Sequence, residues 1–158
     1  MIFKNLNFSI PDLWNEDNIT HHICRYNPSF YKFQHYDCVA LFNNQIKESD
    51  RNGDISDLTI GRLRLLFEFK HEDDIYHLAY IQHFTRQTER DAETGMWVLE
   101  QTKMYEIVPV SSIIYHVHLI PFFGNPTSAR DALLKQDITF DIYLLNLHSD
   151  IYTFFNFY

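Results

Sequence analysis

The residues from Gly61 to Lys70 alternate between apolar and charged side chains. A period of two residues is typical of a β-strand, because successive side chains point to opposite faces of the sheet. The apolar positions are Leu63, Leu65, Phe67 and Phe69. The charged positions are Arg62, Arg64, Glu68 and Lys70. The pattern predicts an antiparallel strand with the apolar set in the core and the charged set in solvent.

A second strand is expected directly after this one. His71–Asp74 is polar and typical of a turn, and in Tyr76–Phe84 the residues Tyr76, Leu78, Tyr80 and Phe84 share one face. The two predicted strands and the polar turn between them therefore indicate a hairpin. The next apolar pieces, Met96–Leu99 and Tyr105–Val108, are short and separated by polar residues, which predicts a second hairpin.

The rest of the chain predicts a mainly β fold, a small antiparallel sheet or partly closed barrel with one to three short helices. Further strands are expected at Tyr36–Phe42, Tyr115–Ile120 and Ile138–Leu145. Short helices are expected near Leu13, at Ser128–Lys135 and at Ser149–Phe155. Residues 1–35 are expected to form an irregular segment packed on a β-rich domain of residues 36–158. No helical crossover is long enough for parallel βαβ units.

Composition narrows the classes of function. The chain of 158 residues is 46% hydrophobic and 16% aromatic, with a formal net charge of −8. Such a chain can fill a core, and its charge disfavours nucleic-acid binding and favours a basic protein partner. The sequence contains no signal peptide and no apolar run of membrane-spanning length. We therefore expect a cytoplasmic or nuclear protein that does not bind a membrane. The two cysteines, Cys24 and Cys38, are expected to be reduced core thiols.

Candidate metal ligands are limited to one histidine pair. His116 and His118 alternate along a predicted strand, so both imidazoles would project from one face, as in metal sites on β-barrels. The pair resembles a fragment of the cupin signature, but the following glutamate and the flanking glycines of that signature are missing. Hydrogen-bonded histidines are the simpler interpretation. No nucleophile elbow, phosphate-binding loop or zinc-protease motif occurs, so we expect no catalytic residue and no cofactor.

Several sequence blocks resemble the β-rich C-terminal region of fungal transposable-element-derived, transposase-like proteins. These blocks are Gly61–Phe67, Leu78–Phe84, Thr94–Met96, Val108–Ile114, His118–Phe122, Tyr143–Asn146 and His148–Asp150. The resemblance covers roughly residues 30 to 158 and implies that a strand-transfer triad would lie in a preceding domain. The strand order and the VPVSSI element also resemble the bromo-adjacent homology domain, which implies a reader of histone tails or partner proteins.

These features predict a non-catalytic interaction module of a mobile-element-derived protein that binds a protein partner. Two alternatives stay open: a metal-dependent β-barrel enzyme using His116 and His118, and a nucleic-acid accessory domain using Arg62 and Arg64. The aromatic residues could also form a cage for a methylated lysine, although core packing explains them equally well.

The last residues of the chain are unusually apolar. In a helix, Ile151, Phe154 and Phe155 would form one stripe, leaving other large side chains uncovered. Exposed apolar patches mark interfaces. We therefore expect one of two things: either the chain self-associates through this C-terminal aromatic segment, or the natural protein continues past Tyr158.

Overall fold

The computed structural model describes residues 1–11, 19–30, 33–42, 58–122 and 141–149. All regular elements of these ranges, apart from one 3₁₀ turn, are β-strands. The strands are β1 (Ile2–Phe3), β2 (Asn5–Pro11), β3 (Ile19–Phe30), β4 (Phe33–Tyr36), β5 (Cys38–Phe42), β6 (Leu58–His71), β7 (Asp74–Arg90), β8 (Trp97–Pro109), β9 (Ile113–Val117), β10 (Leu119–Pro121) and β11 (Ile142–Leu145). The 3₁₀ turn spans Val110–Ser112.

The main sheet has eight strands in the order β10-β11-β8-β7-β6-β5-β9, with β1 paired to β6. Strands β2, β3 and β4 pair in that order beside it. Every pair is antiparallel. The predicted mainly β, antiparallel fold is confirmed, but the sheet does not close into a barrel. The helix predicted near Leu13, the one at Ser128–Lys135 and all but the first residue of the one at Ser149–Phe155 lie outside the described residues.

The hairpin predicted around His71–Asp74 is confirmed, because β6 and β7 pair from Gly61 and His83 to the turn at Glu72 and Asp73. Glu72 takes a positive φ of 54° there. The second predicted hairpin is wrong. Its two pieces belong to the single strand β8, which pairs with β7 along most of its length.

A β-bulge in β6 changes which side chains are buried. The register against β7 shifts between Leu63 and Leu65, so Arg64 has no partner residue opposite it. An extra residue in one strand inverts the alternation beyond it. Leu63 is therefore buried and Leu66 takes the next core position, whereas Leu65 and Phe67 are half-buried.

The prediction that the whole apolar set of β6 faces the core is consequently wrong beyond Leu63. Phe69, at the far end of the strand, is 52% exposed. The charged residues differ from expectation as well, since Arg62 and Arg64 are half-buried and not fully in solvent.

Two further predictions need correction. The described part of residues 1–35 is not irregular, since it contains β1 to β3 and the beginning of β4. The strand expected at Tyr115–Ile120 is interrupted at His118, which separates β9 from β10. The prediction failed at the N-terminus because prolines and asparagines were taken as loop signals, although a proline is tolerated at the end or edge of a strand.

Both faces of the main sheet carry a core. One core contains Cys38, Ala40, Ile60, Phe84, Leu99, Tyr115, Val117, Tyr143, Leu145 and Leu147. The other contains Cys24, Val39, Leu41, Leu63, Leu66, Ala79, Ile81 and Val108. Successive side chains of β5 point alternately into the two cores. The strand is therefore buried on both sides, which explains its continuous apolar sequence. The described residues contain no helix that is long and apolar enough to cross a membrane.

Cys24 and Cys38 are both buried and free, which confirms the prediction of two reduced core thiols. Burial raises the pKa of each thiol, and a nearby Arg62 offsets only part of the rise at Cys38. Because the thiolate is the reactive form, neither residue should react with an aromatic disulfide reagent in the native protein, and both should react in denaturant. Rapid reaction of either thiol under native conditions would show that its strand is not buried as described.

Candidate interaction surface

The structure places His116 and His118 in different surroundings. His116 lies half-buried on β9, whereas His118 follows the strand and is exposed, with its Nδ1 atom 3.2 Å from the Nδ2 atom of Asn146. No group of three or more His, Cys, Asp or Glu side chains comes together among the described residues. Asn146 is thus a polar neighbour of His118.

One face of the hairpin β6–β7 and of the adjoining part of β8 carries apolar side chains that no described strand covers. Directly opposed residues of an antiparallel pair lie on the same face. Leu65 opposes Tyr80, which in turn opposes Ile107. We call this surface the aromatic face. It comprises Leu65, Phe67, Phe69, Tyr76, Leu78, Tyr80, Tyr105 and Ile107.

Half of the residues of the aromatic face are exposed, and the others are half-buried. The exposed fraction is 52% for Phe69, 44% for Tyr76, 48% for Tyr105 and 58% for Ile107. The rings are nevertheless ordered against each other: the centroids of Tyr80 and Tyr105 are 5.3 Å apart with an interplanar angle of 18°. Contiguous exposed apolar side chains of this kind mark binding surfaces on soluble proteins.

The bulge in β6 creates this surface. Without it, Leu65, Phe67 and Phe69 would lie on the same side as Leu63, in the core. Beyond the bulge, Leu66 pairs with Ala79 and fills the core on the opposite side of the sheet. The bulge therefore moves the apolar set of β6 from the face of the second core to the opposite face of the sheet, where no described strand covers it.

The aromatic face has an acidic end. The turn that closes the β6–β7 hairpin consists of Glu72 and Asp73, followed by Asp74, and all of them are exposed. Phe69 and Tyr76 oppose each other close to this turn, with ring centroids 6.4 Å apart. An apolar surface with carboxylates at one end is complementary to an apolar segment that carries basic residues.

The other end of the aromatic face meets a cluster around Gln82. Gln82 opposes Tyr105 on β8 and Arg62 on β6, and only 3% of it is exposed. Its Nε2 atom donates to the carbonyl oxygen of Thr102 at 2.6 Å. Its Oε1 atom accepts hydrogen bonds from Arg64, from Nε at 2.9 Å and also from Nη2.

Arg62 is held by the neighbouring residues of the same cluster. Its Nη1 atom donates to the Oε1 atom of Gln101 at 2.6 Å. Its guanidinium carbon lies 4.8 Å from the ring centroid of Tyr143 and 5.2 Å from that of Phe84. These cation–π contacts place a cation against the core and explain why Arg62 is not in open solvent.

Two other arginines surround one indole farther along β7. The guanidinium carbons of Arg86 and Arg90 lie 4.8 and 4.6 Å from the ring centroid of Trp97. Burial, and then the neighbouring charge of Arg90, lower the pKa of Arg86. Arg62, Arg86 and Arg90 thus lie against the protein's own rings, and these three residues do not form an open basic stripe of the kind expected for nucleic-acid binding.

A cavity of about 260 Å³ lies by β1 and β2, beside the second core. Its walls include Phe3, Leu6, Leu66, His77 and Val110. The Phe3 and His77 rings are 6.2 Å apart. The lining is mainly apolar, with Asn5, Asn7 and His77 as its polar members.

No family model, curated protein or solved structure matches this chain. The likeness to mobile-element proteins and to the bromo-adjacent homology domain therefore stays a prediction that rests on sequence motifs.

Sequence reasoning found only part of this surface. It placed Tyr76, Leu78, Tyr80 and Phe84 on one face, and the pairing of β7 with β6 confirms this for Tyr76, Leu78 and Tyr80. It missed Ile107 and Tyr105 as members, because they were assigned to a separate hairpin. Tyr105 and Ile107 flank the charged residue Glu106, and this alternation could have placed both on one face of a strand.

Proposed function

We propose that this chain is a non-catalytic interaction module that binds a protein partner across the aromatic face. The observation that carries the proposal is the exposure of Phe69, Tyr76, Tyr105 and Ile107 on one side of three adjoining strands. Binding would remove this apolar area from water, which is the principal favourable term in most protein association. Aromatic side chains are enriched among the residues that dominate binding energy.

The partner segment would be apolar with basic residues at one end. The exposed carboxylates of Glu72, Asp73 and Asp74 support this chemistry, since they lie next to Phe69 and Tyr76. The formal net charge of −8 favours the same class of partner at longer range. Apolar contacts would supply affinity, and the acidic turn would set the orientation of the segment.

The proposal keeps the sequence-based expectation of a basic protein partner but assigns it to a surface. The lineage from a mobile-element protein is part of the proposal only through the sequence motifs given above. The enzyme alternative gains no support from His116 and His118, which gather no third ligand among the described residues.

Selection of a random peptide library against the immobilised chain tests the proposal. We expect the selected peptides to combine aromatic or aliphatic residues with Lys or Arg. Tyr76→Ser and Ile107→Ser should each weaken binding of a selected peptide by roughly tenfold or more, the loss typical of a residue central to an interface.

Ile75→Ser is the matched control. Ile75 is 56% exposed and adjoins Tyr76 in sequence, but it opposes Lys70 on the other side of the sheet. Its replacement should leave peptide affinity unchanged. If Ile75→Ser and Tyr76→Ser weaken binding equally, or if no peptide is selected and a uridine oligonucleotide binds instead, the proposed function is wrong.

A further inference from the structure

We propose that Arg62 and Arg64 form an anion-binding anchor that takes a carboxylate of the partner at the end of the aromatic face opposite the acidic turn. The inference deepens the proposed function and rests on it for the identity of the partner as a protein. The anchor itself stands on the geometry of the two guanidinium groups.

Both guanidinium groups are half-buried and bonded to neutral acceptors. Arg62 donates to the amide oxygen of Gln101 at 2.6 Å, and Arg64 donates to that of Gln82 at 2.9 Å. No carboxylate lies within ion-pairing distance of either arginine in the described part of the chain. Charges removed from water are normally paired, so two such cations that have only neutral partners among the described residues are suited to bind an anion.

The two arginines are also held in place. Arg64 lies over the ring of Tyr36, with its guanidinium carbon 4.8 Å from the centroid, and Arg62 lies over Tyr143 at the same distance. Gln82 is fixed by its own hydrogen bond to Thr102, which orients its oxygen toward Arg64. A pre-organised guanidinium loses little side-chain entropy when it binds an anion.

Arg64 uses its Nε and Nη2 atoms toward Gln82, so its Nη1 group has donors that these bonds do not use. Arg62 also contacts the side chains of Cys38 and Tyr143, so Arg64 contributes most of the donors of the anchor. Guanidinium–carboxylate hydrogen bonds are charge-assisted and stronger than bonds to a neutral amide. A carboxylate bound at the anchor would therefore form stronger hydrogen bonds with these donors than the amide oxygens of Gln82 and Gln101 do.

The position of the anchor favours a carboxylate of a protein over a phosphate of a nucleic acid. Gln82 opposes Tyr105, and Tyr105 stacks on Tyr80, so the anchor and the aromatic face are continuous. A ligand that carries a ring beside a carboxylate fits both parts. A polyphosphate chain would have to approach a molecule with a net charge of −8.

Benzoate, with benzamide as its neutral counterpart, is the probe for this anchor. In protein labelled with ¹⁵N-arginine, benzoate should shift the Nε–Hε signals of Arg62 and Arg64 and leave those of Arg86 and Arg90 in place. Benzamide should shift none of them. Arg64→Gln should weaken benzoate binding by about tenfold, which corresponds to the loss of one charge-assisted interaction, whereas Arg86→Gln should not.

Equal shifts with benzoate and benzamide, or unchanged benzoate affinity in Arg64→Gln, would overturn the inference. So would stronger binding of inorganic phosphate and of a uridine oligonucleotide than of benzoate at these two arginines. If Arg62→Gln does not fold, Arg64→Gln still decides, because Arg64 lies at the bulge and not in a core cluster.

The two proposals can fail separately. If benzoate does not bind but the selected peptides still require Ile107, the anchor is wrong and the proposed function stands. If benzoate binds at Arg62 and Arg64 while the peptides bind independently of Tyr76 and Ile107, the anion site stands and the proposed function is wrong.

Discussion

Replacing Leu63 with alanine is expected to lower the free energy of unfolding by about 2–5 kcal/mol, whereas Leu65→Ala should cost less than about half as much. The two residues differ in burial although their spacing suggests the same face. Leu63 is fully buried in the second core, and Leu65, just beyond the bulge, is only half-buried on the aromatic face. Truncation of Leu63 leaves a cavity, which the neighbours cannot fill completely.

Urea denaturation of the two variants measures this difference. Similar slopes with a lower midpoint for Leu63→Ala would confirm that the change is in stability and not in compactness. Equal losses for the two variants would contradict the bulge and support an uninterrupted alternation. Phe67→Ala should likewise cost less than a buried aromatic would, because Phe67 is half-buried.

Gly61→Ala is expected to destabilise the protein by about 1–3 kcal/mol, and Gly61→Val by more, because both overfill a packed core. A β-carbon at position 61 would overlap the Cγ2 methyl of Ile81 and lie 3.2 Å from the Cδ1 atom of Leu41. Ile81 is fully buried, and its branched side chain cannot move aside without disturbing its neighbours. The glycine is thus required by close packing between strands.

A double-mutant cycle separates this clash from other effects of the substitution. Ile81→Ala removes the methyl group in question, so the loss in Gly61→Ala/Ile81→Ala should be smaller than the sum of the two single losses. Additive losses would show that the space around Gly61 is not limited by Ile81.

The sequence predicted the class of the fold because the relevant signals are local. Alternation in β6 and β7 and the polar turn between them define a hairpin without any knowledge of the remaining chain. The burial of Cys38 and Val39 follows from the continuous apolar run of β5, which is the signature of a strand covered on both sides.

The sequence could not predict which face of the hairpin is buried. The bulge at Arg64 depends on pairing with β7, and nothing in the residues 61–70 marks the position at which the register shifts. For the same reason the hydrogen-bond partners of Arg62 and Arg64 could not be predicted, although the sequence singled out both residues as candidates for nucleic-acid binding. Arg62 and Arg64 look like ordinary solvent-facing charges until the paired strands bring Gln82 and Gln101 beside them.

The sequence also could not show that β8 is one long strand and not two short strands joined by a turn. Polar residues between Leu99 and Tyr105 indicated a turn, but they form an irregular stretch in which the register against β7 shifts and Thr102 bonds to the carbonyl oxygen of His83. A long strand that contains a bulge and two short strands joined by a turn have similar patterns of polar residues. Only pairing with a neighbour distinguishes them.

The most direct test of the central claim compares two isoleucine methyl groups on opposite sides of the sheet. Ile107 lies on the aromatic face and Ile75 on the other side, with similar exposed fractions of 58% and 56%. In protein with ¹³C-labelled isoleucine methyl groups, titration with a selected peptide should shift the Ile107 signal and leave that of Ile75 unchanged. A shift of Ile75 without a shift of Ile107 would contradict binding at the aromatic face.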